Sequence, residues 1–518
     1  MHRDNIRLYV FYLGIVLTII GLSFSRAMIS LGQVTLGALF LLDRNLINKI
    51  KGLAHDKAFI AFTSFFLVLC LGLIYSTDLD YGLFDVRTKI PLLLFPLIFA
   101  TEPKLSKSAF RFFAFLFAAN VIAAMSYSFY LYLANDLIDF RDAFIFVSHI
   151  RMSLEVLVAM SILLFYSFQN DFIIPKWLRV IMIMVSIYLL WVMLSLELMT
   201  GIVIFIVSVV FSLIRLMISK RRRINTWIAF SLGLLFIGFI FIGIQKTIKD
   251  YFDVSDTNLA TLDQFSAQGN KYTHDTISLQ VENGGYIGLY LQWDELRETW
   301  NKKSNLDFDG IDHQKQKLKY TLIRYLNSKQ LRKDAHGLEQ LTSQDVLNVE
   351  NGIANAEFAK KFSYKKRIYK LLWEYDLYKN RGGTYGHSLI QRIVLWETSI
   401  DVFAKYPLFG VGTGDIRNVF NKELELANSP LVKSNLRSHN QFLSIMASLG
   451  IFGLLAFLLS MFYPPTIKKI WDQPLFFYFF SFLAIGMLWE DTIESQVGVT
   501  LYAFFFAFYL YGLEKKQI

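Results

Sequence analysis

The segment "NLRSHNQFLSIMASLGIFG", residues 435–453, sets Arg437, Ser438 and His439 directly ahead of a long apolar run. A neutral imidazole can take a proton from a hydroxyl, and a guanidinium binds phosphate oxygens through paired N–H donors. Ser438 with Gln441 three residues on fits a capping box, making Ser438 the N-cap and His439 the first helical residue. The positive end of the helix dipole then disfavours an imidazolium, so His439 is expected to be a neutral ring suited to general-base work. The competing reading is a helix-end histidine that only satisfies nearby backbone groups.

What these residues can touch depends on the elements that carry them. Of 518 residues, 54% are hydrophobic, with 49 Phe and 26 Tyr against 18% charged. Apolar runs long enough to cross a bilayer begin near residues 8, 27, 58, 110, 152, 178, 201, 226, 441, 475 and 497. A further segment, 83–100, has the short apolar part "IPLLLFPLIFA" with two prolines, and is either a span or a re-entrant loop. The positive-inside rule decides for a span. With twelve spans and both termini inside, the loops "DRNLINKIKGLAHDK", "TEPKLSKSAFR", "PKWLR", "SKRRRIN", "TIKKIWDQ" and "EKKQI" all face inward and all are basic. The short outer loops hold Arg26, Arg87, Lys89, Arg141 and Arg151. The net charge of +10 therefore reads as inner loops facing anionic lipid, with no nucleic-acid partner. The first run, followed by "SFSRAM", reads as a span rather than a cleaved signal, and Cys70, the only cysteine, forms no intramolecular disulfide.

The fold class expected is an all-α polytopic membrane protein of about twelve transmembrane helices, with a large, mainly helical outer insertion between spans nine and ten. Its parts are a membrane block at 1–246, an outer domain at 247–438 and a closing membrane block at 439–518. The insertion mixes charges evenly and has aromatics throughout, as a folded domain does. Its middle reads as amphipathic helices broken at "DAHG" and "NG", and "VENGGYIG" is either a hairpin or the restart of a helix. Towards its end, "HSLIQRIVLWETSIDVFAKYP" is a helix with Arg392 and Trp396 one turn apart on one face, followed by the glycine-rich turn "LFGVGTGD".

On this topology the outer membrane edge gathers Arg87, Lys89, Arg141, Arg151, Arg392 and Arg437, a set suited to a pyrophosphate head group. Four of them have a plainer reading. Arg151 is one turn before Glu155 and can pair with it; Arg141 can be a solvated loop charge; Arg87 and Lys89 can snorkel at a span end. "GVGTG" lacks the preceding strand of a dinucleotide loop and reads as a turn. The pairs Asp78/Asp80 and Asp307/Asp309 read as solvated carboxylates rather than metal ligands. No metal and no redox cofactor is expected.

The stretch "RIVLWETSIDVFAKYPLFGVGTGD" followed by "RSHNQFLSIMASLGIFGLLAFLL" resembles the O-antigen ligase and polymerase family of membrane glycosyltransferases. "SHIRMSL", "KIPLLLFPLIF" and "EDTIESQVGVTLYAFFFAFYLY" are similar to family segments too, while 251–385 is longer than in typical ligases, as in Bacteroidetes-like members with an enlarged loop. The resemblance implies a reaction at the periplasmic face of the inner membrane, with undecaprenyl-pyrophosphate-linked glycan as donor and a lipid A–core hydroxyl as acceptor. It implies His439 as base, Arg392 on the leaving pyrophosphate and Arg151 as a second phosphate-binding arginine. Where many relatives have Arg or Ser before "TG", this chain has "LELMTG", with Glu197 and Met199. Rivals with the same chemistry are a polymerase and a protein O-oligosaccharyltransferase. A transporter is the rival of another class, but Glu155 and Glu197, the clear intramembrane carboxylates, lie near outer span ends.

Overall fold

The structure, a computed structural model, describes residues 2–135, 137, 139–169, 174–218, 224–254, 257–360, 363–381, 388–429, 431–432 and 437–513. The basic tract 220–223 and the tail 514–518, both read above as inner loops, lie outside the described residues. The chain divides into two compact units, 1–218 with 384–518, and 219–383.

The first unit is a helical bundle. In chain order it holds α1 (His2–Phe24), α2 (Arg26–Leu41), α3 (Leu46–His55), α4 (Lys57–Leu71), α5 (Leu79–Lys89), α6 (Pro91–Thr101), α7 (Lys107–Ala134), α8 (His149–Phe168), α9 (Lys176–Ser195) and α10 (Met199–Ile218). The second unit holds α11 (Ile224–Phe252), α12 (Trp293–Lys303), α13 (Leu318–Ser328), α14 (Ala335–Glu339), α15 (Ser343–Glu350), α16 (Ala356–Ala359) and α17 (Tyr364–Arg381). The chain then returns to the first unit with α18 (Ser388–Lys405), α19 (Ile416–Leu426), α20 (Gln441–Lys468), α21 (Pro474–Gly486) and α22 (Gln496–Tyr511).

Every apolar run in the sequence falls on a helix. Among the described residues α1, α7, α8, α9 and α20 are each long and apolar enough to cross a membrane, and α2 with α3 does so as a pair bent by 101°. Four shorter apolar helices, α4, α10, α21 and α22, accompany them. This is an all-α membrane protein. The segment 83–100 becomes α5, which carries Asp85 and Lys89, and the apolar α6, with Pro91 at its first turn where no intrahelical N–H is needed.

The axis of the bundle is α22. From Val497 to Tyr511 it is buried on every side, as a helix that is apolar all round must be. Phe508 stacks on Phe110 at 4.1 Å, and Phe504 meets Phe95 and Phe99 edge-on at 5.4 and 5.6 Å. Far from the starts of α20 and α22, Arg7 and Lys49 share Asp43 and Glu102, and Lys468 pairs with Asp56 at 2.8 Å.

One break in α20 matters for the site. Gly450 adopts φ 64° inside the helix, which interrupts the hydrogen-bond ladder. The turn 407–412 fills the gap. Ile451 and Phe452 N–H donate to the Pro407 and Leu408 carbonyls, while the Ala447 and Ser448 carbonyls accept from Val411 and Gly412 N–H. In an apolar setting such a break survives only when neighbouring backbone satisfies the freed groups. A Cβ on Gly450 would sit 2.3 Å from the Leu408 oxygen, and one on Gly410 would sit 2.4 Å from the Leu449 nitrogen. The glycine-rich segment is thus a turn, docked into a helix.

The second unit has its own core around Trp300, Phe308, Leu322, Leu326, Leu338 and Val349. The hairpin alternative holds at "VENGGY": Val281 pairs with Tyr286 and Glu282 with Gly285, and Asn283 and Gly284 both take positive φ, as an Asn-Gly hairpin turn requires. Arg324 donates twice to the buried Glu282 carboxylate at 2.9 Å and lies 3.4 Å over the Trp373 ring. Of the two expected helix breaks, Asn351-Gly352 is one, with Gly352 at φ 77°; at "DAHG", Asp334 instead caps the start of α14.

Candidate functional site

The start of α20 differs from the capping-box expectation. Asn440, not Ser438, is the N-cap: its side-chain oxygen accepts from Phe442 N at 3.0 Å and Leu443 N at 3.1 Å, and α20 begins at Gln441. The Asn440 side-chain oxygen satisfies two orphan donors at once, leaving the Ser438 hydroxyl free for other work. That hydroxyl is buried, 2.7 Å from Ser444 Oγ. His439 is therefore not the first helical residue. It lies before the cap at φ 51°, its N–H donating to Asp491 at 2.8 Å. Histidine is among the residues that enter this left-handed region most readily.

The partner of this segment is the turn "WEDTIES", residues 489–495, just ahead of α22. Gln441 closes it like a clasp: its N–H donates to the Met487 carbonyl at 2.8 Å, its amide nitrogen to Glu494 at 2.9 Å, and its amide oxygen accepts from Ile493 N at 2.8 Å. Asn440 adds a bond to the Leu488 carbonyl at 3.0 Å, and Ser444 donates to Asp491 at 2.6 Å. Glu490 is thereby held against His439, Oε2 lying 3.5 Å from Nδ1. An ionised Glu490 fixes the tautomer with the proton on Nδ1, leaving Nε2 as the proton acceptor on a ring that is 30% exposed.

Arg392 arrives from α18. Its guanidinium pairs with Oε1 of the same Glu490, and Trp396 packs on Trp489 with ring centroids 5.7 Å apart. The two residues thus share a face, turned to the 489–495 loop. Burial would raise the Glu490 carboxyl, but the hydrogen bond with His439 and the charges of Arg392 and Arg151 hold it below the usual range for a glutamate.

Arg151, in the first turn of α8, completes the group. It donates to Ser495 Oγ at 3.2 Å, the Asp491 carbonyl at 3.4 Å and Ser148 Oγ at 3.4 Å. It makes no ion pair among the described residues, so the alternative of an Arg151–Glu155 bridge does not form. Glu155 is instead buried and accepts from Ser23 at 2.6 Å.

Arg437 and Lys89 are placed differently. Arg437 donates to Asp85 at 2.9 Å and also meets Glu494 and the Tyr81 hydroxyl; Lys89, fully buried, reaches Asp85 and Glu494 at 2.6 Å each. Two cations and two carboxylates make a neutral quartet that ties α5 to the 489–495 turn. Arg87 is exposed and has no ion pair among the described residues, and Arg141 pairs with its neighbour Asp139 at 2.6 Å. Asp78 caps α5, and Asp309 binds Arg297 and Lys319.

The segment after the glycine turn anchors the group as well. The Asp415 carboxylate accepts from Thr77 N at 2.8 Å and Asp78 N at 2.8 Å, and Thr413 donates to the Leu69 carbonyl at 2.7 Å. One end of the bundle thus collects His439, Glu490, Asp491, Arg392 and Arg151 on four separate elements. Sequence reading found the histidine and the arginines but gave no role to Glu490, Asp491 or Glu494. Their signal was legible: three carboxylates within five residues at the threshold of a fully apolar helix.

Fold and site together describe a polytopic helical membrane protein with a histidine–carboxylate pair and guanidinium groups at one end of its helices. Residues 344–458 match the family model described as O-antigen ligase, a stretch that contains Arg392, Trp396, the glycine turn and His439. Over that stretch the chain is similar to the O-antigen ligase family. No curated protein matches it.

Proposed function

We propose that the protein transfers a glycan from undecaprenyl pyrophosphate to a hydroxyl of the lipid A–core oligosaccharide, at the periplasmic face of the inner membrane. The observation that carries this reading is the His439–Glu490 pair beside two guanidinium groups in one cluster. The acceptor hydroxyl attacks the anomeric carbon as His439 Nε2 takes its proton, and the glycosidic bond to the pyrophosphate breaks with inversion. Glu490 orients the ring and stabilises the imidazolium that forms. Arg151, which forms no ion pair among the described residues, receives the departing pyrophosphate, with Arg392 beside it. Arg437 and Lys89 keep the loop in place rather than bind donor, and the exposed Arg87 meets anionic head groups on approach. No metal enters the proposed steps.

The periplasmic placement is supported by the basic loops, which a twelve-span topology gathers at the ends opposite to His439. An apolar groove of about 640 Å³ between α8, α10 and α21, lined by Met160, Phe165, Phe205 and Phe482 among others, has the chemistry a polyprenyl chain requires. A polymerase or a protein O-oligosaccharyltransferase would use the same residues on another acceptor. Incubating the purified protein with lipid-linked glycan and each acceptor separates them. Product on lipid A–core supports the ligase reading; elongated lipid-linked glycan, or glycan on Ser or Thr of a peptide, overturns it in favour of the corresponding rival.

A further inference from the structure

The second unit contains a cleft of about 370 Å³. Tyr286, Tyr290, Asn327, Gln330, Arg332 and Lys333 are among its lining residues, and no carboxylate lines it among the described residues. Lys333 is 4% exposed. Its ammonium donates to the Tyr286 carbonyl at 3.0 Å and to Asn327 Oδ1 at 2.7 Å. An ammonium has three donors, so one remains, and no carboxylate lies within ion-pair distance among the described residues. Asn327 cannot turn away, because its amide nitrogen donates to the Glu282 and Gly285 carbonyls at 2.6 and 3.1 Å. Beside it the Arg332 guanidinium lies 4.6 Å over the Tyr290 ring and pairs with Asp263. Tyr290 and Gln330 both take positive φ, 57° and 58°, a strained conformation for residues other than glycine that clusters at ligand clamps.

A buried cation without a counter-charge is expensive, and a ligand that brings the missing anion recovers the cost. Burial already draws the Lys333 ammonium down to about 7. Two tyrosines with amide groups suit a sugar ring, whose faces stack on aromatic carbon and whose hydroxyls exchange hydrogen bonds with amides. We infer that this cleft binds an acidic sugar residue of a glycan, with Lys333 and Arg332 on its carboxylate and Tyr290 against its ring. The choice of a sugar rests on the glycan-transfer reading above; the need for an anion does not.

The test is calorimetric titration of the full-length, detergent-solubilised protein with a glucuronate-containing disaccharide, its neutral glucose counterpart and inorganic phosphate. Preference for the acidic disaccharide over the neutral one by tenfold or more, lost in both Lys333→Met and Lys333→Gln, supports the assignment. Thermal unfolding of each variant verifies that it is folded. Equal binding of the acidic and neutral sugars, or a preference that survives both substitutions, overturns it. Competition by phosphate at the same concentration overturns the sugar and leaves a simple anion site. Binding by His439→Ala at wild-type strength, measured beside its transfer rate, keeps this result separate from that of the catalytic proposal.

Discussion

At the scale of single residues, the site turns on how one carboxylate serves two partners. Glu490 accepts from Arg392 and faces His439 Nδ1 at 3.5 Å, so its charge fixes both the ring and the guanidinium. Replacing it by glutamine keeps the shape but removes the preference for the Nδ1–H tautomer. The expected loss in kcat is on the order of 10²-fold or more, with KM for the donor changed much less. Because the folded Glu490 titrates below its ordinary value, its ion pair stabilises the fold at neutral pH, and that stability is lost as pH falls through the lowered value. The difference in thermal stability between wild type and Glu490→Gln should therefore shrink under acid and persist above about pH 5, the reverse trend contradicting the assignment. Arg151→Lys keeps a positive charge but loses the fork. Donor affinity should fall by about 1.5–3 kcal/mol, roughly 10- to 100-fold, while unfolding is little changed, since its bonds in the protein are three long contacts to hydroxyl and carbonyl oxygens.

The elements place these residues through backbone as much as side chains. The break at Gly450 lets the 407–412 turn dock into α20, which fixes α18, and hence Arg392, against the start of the helix that follows His439. Gly450→Ala brings a Cβ to 2.3 Å from the Leu408 oxygen at a positive φ, and should lower stability by more than about 2 kcal/mol. Gly243→Ala, in a helix with open space around it, is the control, and it should be neutral or slightly stabilising. Equal thermal stability of the two variants would remove the docked turn from the account. Much at this scale was legible beforehand. The apolar runs mark the helices and the Arg392–Trp396 spacing marks one face, while the Asn-Gly pair leaves the hairpin as one of two readings. The helix start was not, because Ser438 and Asn440 both fit the local signal. Only the packed 489–495 loop decides, by taking the Ser438 region into a buried network and leaving Asn440 to cap. The docking of "LFGVGTG" into α20 depends on partners about 40 residues on, which local spacing does not reveal.

Across the whole molecule, charge is sorted by position. The bundle end with α20 and α22 starts holds a neutral quartet of Arg437, Lys89, Asp85 and Glu494, and beside it a cluster in which Arg151 forms no ion pair among the described residues. Lys89 and Arg437 were read from sequence as phosphate binders because they are basic residues at an apolar edge. Two of the four pairings, Lys89–Glu494 and Arg437–Asp85, join positions more than 350 residues apart, and distance along the chain conceals them, whereas Lys89–Asp85 lies four residues apart on α5. The central claim is that His439 is the base of glycan transfer. Its most direct measurement is the single-turnover rate from undecaprenyl-pyrophosphate-linked glycan for purified wild type and His439→Ala, with matched folding in detergent. A fall of roughly 10²- to 10⁴-fold, with donor binding retained, is the result predicted. Transfer by the variant at the wild-type rate would contradict it.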